Sequence, residues 1–398
     1  MSRRDAEAPL DPAMAVAGLL TRLGIFALIV LVPMMAIVSR RAVAVFVPLA
    51  TVLLFIAAAL SGRLNEATMR LLRALVSPAT LAFIAFVICI AASLTWALRP
   101  DAAYDRLSQL VLTLALAVAT VAALPERTRP SDANLVPIGV AIATVTLALG
   151  YVPGLPLGEV IGRGAPTESQ RAAMLLVLLV WPANAALLAR GRVWPALVLS
   201  ATLIATLWLI HDLVVIGAFI LGALAFGMAL WRPVLAVRVF GAIALLALAM
   251  APGIGWLMAE YGGFLTPASG DNIVAIWRDV TYALPGKLFF GWGFEASAAL
   301  QRTTSNMPLG SPQNAALQLW LELGLVGVVL ALIALFFGLR AIERGTEHMR
   351  PAAIAVLTAG GAMMFAGLVS WAIWWFTALG LAAILIAFVG RIRPRLRF

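Results

Sequence analysis

Charge is what this chain is short of. Only 12% of its 398 residues are charged and 63% are hydrophobic, where a soluble domain is nearer a quarter charged and half apolar. A mean hydropathy of +1.03 assigns most of the chain to lipid. Cysteine is almost missing: Cys89 stands alone inside an apolar run, which excludes an intramolecular disulfide and a Cys-based metal site. The two histidines, His211 and His348, are far apart in sequence, so no metal site is expected from them. Lysine occurs once, at Lys287. The isoelectric point of 11.1 therefore rests on arginine. Those arginines are scattered through short loops, not gathered into one patch. This argues against nucleic acid as a partner and for anionic membrane lipids.

What the chain has instead is long apolar runs. Twelve are expected to span a membrane, at roughly 15–38, 42–60, 78–98, 107–125, 133–152, 170–189, 193–211, 212–231, 236–257, 314–339, 352–373 and 374–390. Each suits a helix crossing about 30 Å of hydrocarbon. The expected fold is an all-α polytopic membrane protein, a single membrane domain over 1–398. The first run is not followed by a small-residue cleavage site and is read as a retained span. Spans seven and eight, and eleven and twelve, are nearly continuous, so their turns are expected to be tight.

Orientation follows from the cations. With the N-terminus inside, eighteen arginines face the cytoplasm, nine cations face outward and Arg22 lies within the first span. That bias favours both termini in the cytoplasm of a bacterial inner membrane. Between Arg63 and Leu75, Arg63, Glu66, Arg70 and Arg73 alternate at helical spacing with Leu64, Leu71, Leu72 and Leu75. One wet face and one apolar face predict a helix lying in the cytoplasmic interface. The loop 259–313, between spans nine and ten, falls outside the membrane and is long enough to be functional. Within it, Ile273, Ile276, Trp277 and Val280 are spaced for a short amphipathic helix. A second outer loop, Pro153 to Gln170, carries Glu159, Arg163 and Glu168, with Arg171 at its end. Glu322, about two turns into span ten, is a costly acid at that depth and is expected to have a polar partner.

The stretch Ser311-Pro312-Gln313-Asn314 leads into Leu317-Gln318-Leu319-Trp320-Leu321-Glu322-Leu323-Gly324-Leu325-Val326-Gly327. Upstream stand Ile276-Trp277-Arg278, then Phe290-Gly291-Trp292-Gly293-Phe294-Glu295, and earlier Gly162-Arg163-Gly164 and Trp181-Pro182. In this order they resemble the O-antigen ligase family, which shares its defining region with O-antigen polymerases. The resemblance covers most of the chain and is most specific from Trp277 to Gly327. It implies inverting, metal-independent glycosyl transfer at the periplasmic face, with no cofactor. The donor would be a glycan on an undecaprenyl-diphosphate carrier. The acceptor would be lipid A-core for a ligase, or another carrier-linked chain for a polymerase. In such enzymes arginines hold the diphosphate and a His of a His-Asn pair acts on the acceptor hydroxyl.

The chain departs from that pattern at Gln313, which stands in the place of the His beside a matching Asn314. A glutamine side chain takes up no proton near neutral pH. Ile273 stands where many relatives carry Arg, and His211-Asp212 where many carry Ser-Arg or Ser-Asp. The expected site is therefore Arg163, Arg171 and Arg278 on the diphosphate, with Gln313, Asn314, Glu295 and His211 at the reacting end. A guanidinium clamps two phosphate oxygens as the leaving group gathers charge. Other roles compete at several positions. Asn314 suits a helix cap, Arg171 opens a helix, and Arg278 is also explained as a solvated loop charge. Asp212 is a candidate to fix the tautomer of His211, but neighbours on a helix point apart, and a simple polar turn is the favoured reading of the pair. Asp271 and Asp279 are weaker candidates. Two rival functions stay open: a relative that has lost catalysis and binds or helps export lipid-linked glycan, and a secondary transporter. No internal two-fold repeat supports the transporter.

Overall fold

The computed structural model describes residues 12–38, 40–126, 132–152, 166–261, 273–300, 314–366 and 372–391. Among them every regular element is helical. The helices are α1 (Pro12–Phe26), which continues through a π-helical turn (Ala27–Leu31) into α2 (Val32–Val38), then α3 (Arg40–Leu60), α4 (Leu64–Leu75), α5 (Pro78–Ser93), α6 (Pro100–Ala123) and α7 (Leu135–Leu149). They are followed by α8 (Pro166–Leu188), α9 (Val193–Ile210), α10 (Leu213–Trp231), α11 (Pro233–Ala249), α12 (Ala251–Tyr261), α13 (Ile273–Ala283), α14 (Ala315–Arg344), α15 (Met349–Phe365) and α16 (Ile373–Val389).

Eight helices are long and apolar enough to cross a membrane, or nine if α11 and the start of α12, bent by 68°, form one span. Val45–Leu60, α15 and α16 are apolar but shorter. Each of the twelve expected segments overlaps a described helix only when the bent pair and those three are included, and by length and composition eight or nine qualify as spans. The protein is thus an all-α polytopic membrane protein. Its outer surface carries the large apolar side chains that lipid would solvate, among them Leu112, Trp194, Trp208 and Leu213.

Helix α8 is the axis of the bundle. Every residue from Ala172 to Leu187 is buried, as expected of a helix that is apolar on all sides. It packs against α2, α7, α9, α10, α15 and α16. Trp181 stacks on Phe219 of α10, with ring centroids 5.2 Å apart. A second unit pairs α5 with α14, and α14 with α11.

Two ends can be told apart by their contacts. At the arginine-rich end the last carbonyls of α6 are capped from two directions. Arg391 donates to Val121, Leu124 and Pro125 oxygens, and Arg70 of α4 donates to Leu124 O at 2.9 Å. Cations at a helix C-terminus also complement its dipole. Burial, with Arg70 beside it, pulls the Arg391 guanidinium down to about 10. Helix α4 is the amphipathic helix expected between Arg63 and Leu75. It exposes Leu64, Met69, Leu72 and Leu75 on one side and has Glu66, Arg70 and Arg73 on the other. At the opposite end, Tyr151 donates to Ser169 and Gln170 to Asp212, which ties the start of α8 to the ends of α7 and α9.

Candidate functional site

Helix α14 is not continuous. At Gly324 the backbone turns to φ 62°, ψ −162°, and the ladder of hydrogen bonds is cut about two turns from its start. The groups released do not stay empty, because the segment after α13 runs into the break. Trp292 N donates to Leu321 O and Gly293 N to Glu322 O, both at 2.9 Å. On the far side Leu325 N donates to Leu288 O at 2.8 Å and Val326 N to Phe289 O at 3.1 Å. Non-helical backbone at membrane depth is tolerated only where such partners exist. Gly291 is at φ +67°, and a Cβ there would lie 2.3 Å from Glu322 O. Trp292 Nε1 donates to Ala283 O, and Phe294 N to Ser93 Oγ of α5. The loop is therefore held by α5, α13 and both halves of α14.

This packing buries a polar cluster. Glu322 is fully buried, and its Oε1 accepts from Ser297 Oγ at 2.8 Å and Gln318 Nε2 at 2.9 Å. Gln318 also donates to Ser297 Oγ at 3.1 Å. The expected partner for the acid in span ten is thus a pair of neutral donors. Gln318 Oε1 and Asp279 Oδ2 are buried with no hydrogen-bond partner among the described residues.

Glu295 marks the rim. It has φ +63°, a conformation non-glycine residues seldom adopt. Its Oε1 lies 3.1 Å from Nε of Arg106 on α6. The carboxylate is 16% exposed and the guanidinium 41%, so both remain open to a ligand from one side. Sequence reasoning missed Arg106, Ser93, Ser297 and Gln318. The expected span began at 107, whereas α6 starts at Pro100 and carries Arg106 inside its second turn.

The other expected residues sort as follows. Asn314 caps α14, its Oδ1 accepting from Ala316 N at 3.0 Å and Leu317 N at 3.1 Å. Asn314→Ala should therefore lower stability by about 1 kcal/mol, and Asn314→Asp should restore it. Thermal unfolding in detergent measures this, and an unchanged melt for Asn314→Ala would remove the capping role.

Arg171 makes an ion pair with Glu168 at 2.8 Å and lies 5.6 Å from the ring centroid of Trp374 at the head of α16. His211 is exposed, left-handed at φ 58°, and closes α9. The candidate His211–Asp212 pairing is not formed, and the two residues make a polar turn. Asp212 Oδ1 instead caps α10 through Val214 N and Val215 N, its Oδ2 takes Gln170, and His211 Nδ1 faces Leu209 O at 3.1 Å. Adjacent residues on either side of a helix junction diverge, which is why the pair is absent. Arg163 and Gln313 lie outside the described residues, as does Asp271, and so does the side chain of Arg278, whose backbone is in α13. Among the described residues no three His, Cys, Asp or Glu side chains converge as a metal site would require.

The structure therefore brings Glu295, Arg106, Ser297, Gln318, Glu322 and Asn314 to one broken helix. Arg171, Glu168, Gln170, Asp212 and Trp374 gather where α8, α10 and α16 begin. The chain matches no protein-family model and no curated protein sequence.

Proposed function

We propose that this protein transfers a glycan from an undecaprenyl-diphosphate carrier to lipid A-core or a similar acceptor at the periplasmic face of a bacterial inner membrane. The observation that carries the reading is the Gly291–Glu295 loop seated in the break of α14. It puts an arginine–carboxylate pair at the rim of a membrane-embedded polar cluster, in the segment on which the resemblance to O-antigen ligases is most specific. A lipid-facing groove of about 260 Å³ adds support. It runs between α3, α6 and α16, lined by Val47, Leu112, Thr113, Leu116, Thr377 and Leu381. Arg106 stands two turns above Thr113 on the same face of α6, and Trp374, beneath Arg171, stands at the head of α16. A prenyl chain in this groove would bring its diphosphate up to guanidinium groups.

In this mechanism Arg106 and Arg171, with Arg163 and Arg278 from the outer loops, neutralise the leaving diphosphate. The acceptor hydroxyl attacks the anomeric carbon opposite the diphosphate, and the carbon–oxygen bond to phosphate breaks with inversion. The hydroxyl proton passes to Glu295. Gln313 holds the acceptor by hydrogen bonds only, since its amide takes up no proton.

A second reading is favoured by one observation, the amide at Gln313 where a base is expected: a relative that binds or helps export the lipid-linked glycan without transferring it. Polymerisation onto a second carrier-linked chain is the third. Glycan attachment in cells carrying Arg163→Ala, Gln313→His or His211→Ala separates them. The proposal expects attachment to be lost with Arg163→Ala and kept with His211→Ala. Wild-type attachment with Arg163→Ala would end the diphosphate assignment. Attachment only after Gln313→His would establish a decayed enzyme, and products on the carrier alone would establish a polymerase.

A further inference from the structure

At the arginine-rich end, beyond the break in α14 at Gly324, a groove of about 670 Å³ lies between the start of α5 and the last turns of α14. Its walls are apolar, formed by Phe336, Phe337, Pro78 and Ala79, and its mouth carries Ser77, Arg340 and Arg344. Phe336 and Phe337 are 44% and 37% exposed, so the walls are open to lipid and not sealed by protein. Arginine outnumbers acid here. Glu343 pairs with both Arg238 and Arg340, and Arg344 has no side-chain partner among the described residues.

The depth of the mouth is set by α4, which exposes Leu72 and Leu75 and is followed by exposed Val76 just before the chain turns at Ser77 into α5. An amphipathic helix of this kind rests at the boundary between headgroups and acyl chains. Ser77, Arg340 and Arg344 are therefore at the level of lipid phosphates. The start of α5 adds the positive end of its dipole.

We propose that this groove holds one anionic diacyl phospholipid. Its phosphate sits between Arg340 and Arg344 beside Ser77, and its acyl chains lie along Phe336 and Phe337. Charge decides the headgroup. Arg238 and Arg340 share the one carboxylate of Glu343 and Arg344 has none among the described residues, so a phosphodiester with no compensating cation is held, and the ammonium of a zwitterionic lipid is repelled. The site is independent of the proposed glycan transfer.

The test is native mass spectrometry of the full-length protein released from nanodiscs of mixed phosphatidylglycerol and phosphatidylcholine. Wild type should retain one phosphatidylglycerol in preference to phosphatidylcholine. The R340Q/R344Q variant should retain it at least about tenfold less, and R340K/R344K should recover part. R192Q/R232Q removes the same charge elsewhere at this end and should leave retention unchanged. Unaltered retention in R340Q/R344Q, equal losses in the two Gln variants, or equal retention of both lipids would each overturn the proposal. Melting of every variant in phosphatidylcholine-only nanodiscs, compared with wild type, separates lost lipid from lost fold.

Discussion

Gly291→Ala is expected to destabilise the protein by at least about 3 kcal/mol and to displace the loop from α14. Two effects add. A left-handed conformation costs a residue with a Cβ roughly 1–2 kcal/mol, and Gly291 is at φ +67°. The new Cβ would also lie 2.3 Å from Glu322 O, against backbone that cannot swing aside like a side chain. Relief requires moving the strand of loop whose Trp292 and Gly293 amides satisfy Leu321 and Glu322 oxygens. Each backbone group left without a partner in hydrocarbon costs several kcal/mol more, on the order of 2–7. Thermal unfolding in detergent, with limited proteolysis of residues 284–300, should show a lower melt and a newly cleavable loop. An unchanged melt and cleavage pattern would mean that the loop is not anchored in the break.

Glu295→Gly and Arg106→Ala are expected to abolish function while sparing the fold, and their separation is the informative part. Glycine accepts φ +63° without strain, so Glu295→Gly should melt at or slightly above the wild-type temperature. Loss of a general base typically costs roughly 10²–10⁴ in rate. In the proposed mechanism Arg106→Ala removes a guanidinium that faces charge developing on the leaving group, a loss of roughly 10²–10³. Arg106→Lys, which keeps the charge without the fork, should fall between. The ion pair itself is half open to water and contributes about 1 kcal/mol or less to stability. If the pair only braced the loop, Glu295→Gly would lower the melt and activity together, and Arg106→Lys would behave as wild type. Initial rates of glycan transfer set beside melting curves distinguish the two.

Much of the architecture was legible because apolar length and side-chain spacing are one-dimensional signals. The amphipathic helix at Leu64–Leu75 and the short helix at Ile273–Ala283 followed from side-chain spacing alone. The break at Gly324 did not. An apolar run with a glycine in it reads as one span, here 314–339, because hydropathy carries no information about a single backbone angle. The break exists only because residues 288–293, some thirty positions earlier, supply its hydrogen bonds. The buried glutamate was the available hint. An acid at the depth of Glu322 demanded a partner, and the partners proved to be Ser297 and Gln318.

The pair at the rim was hidden for a related reason. Arg106 and Glu295 are 189 residues apart, and Arg106 looked like one more charge bordering a span. At His211-Asp212 adjacency brought no pairing, and the simple polar turn is what forms: each residue serves a different helix end. Asn314 was read with two roles open, and its Oδ1 is taken up by the cap.

The central claim is that this membrane protein moves a carrier-linked glycan. The direct measurement uses the purified full-length chain in proteoliposomes with undecaprenyl-diphosphate-linked glycan and lipid A-core, following both products by mass spectrometry. The account predicts glycosylated lipid A-core and free undecaprenyl diphosphate appearing in equal amounts, with no added metal or nucleotide. Donor bound by the protein but recovered intact, with no glycan on the acceptor, would contradict it.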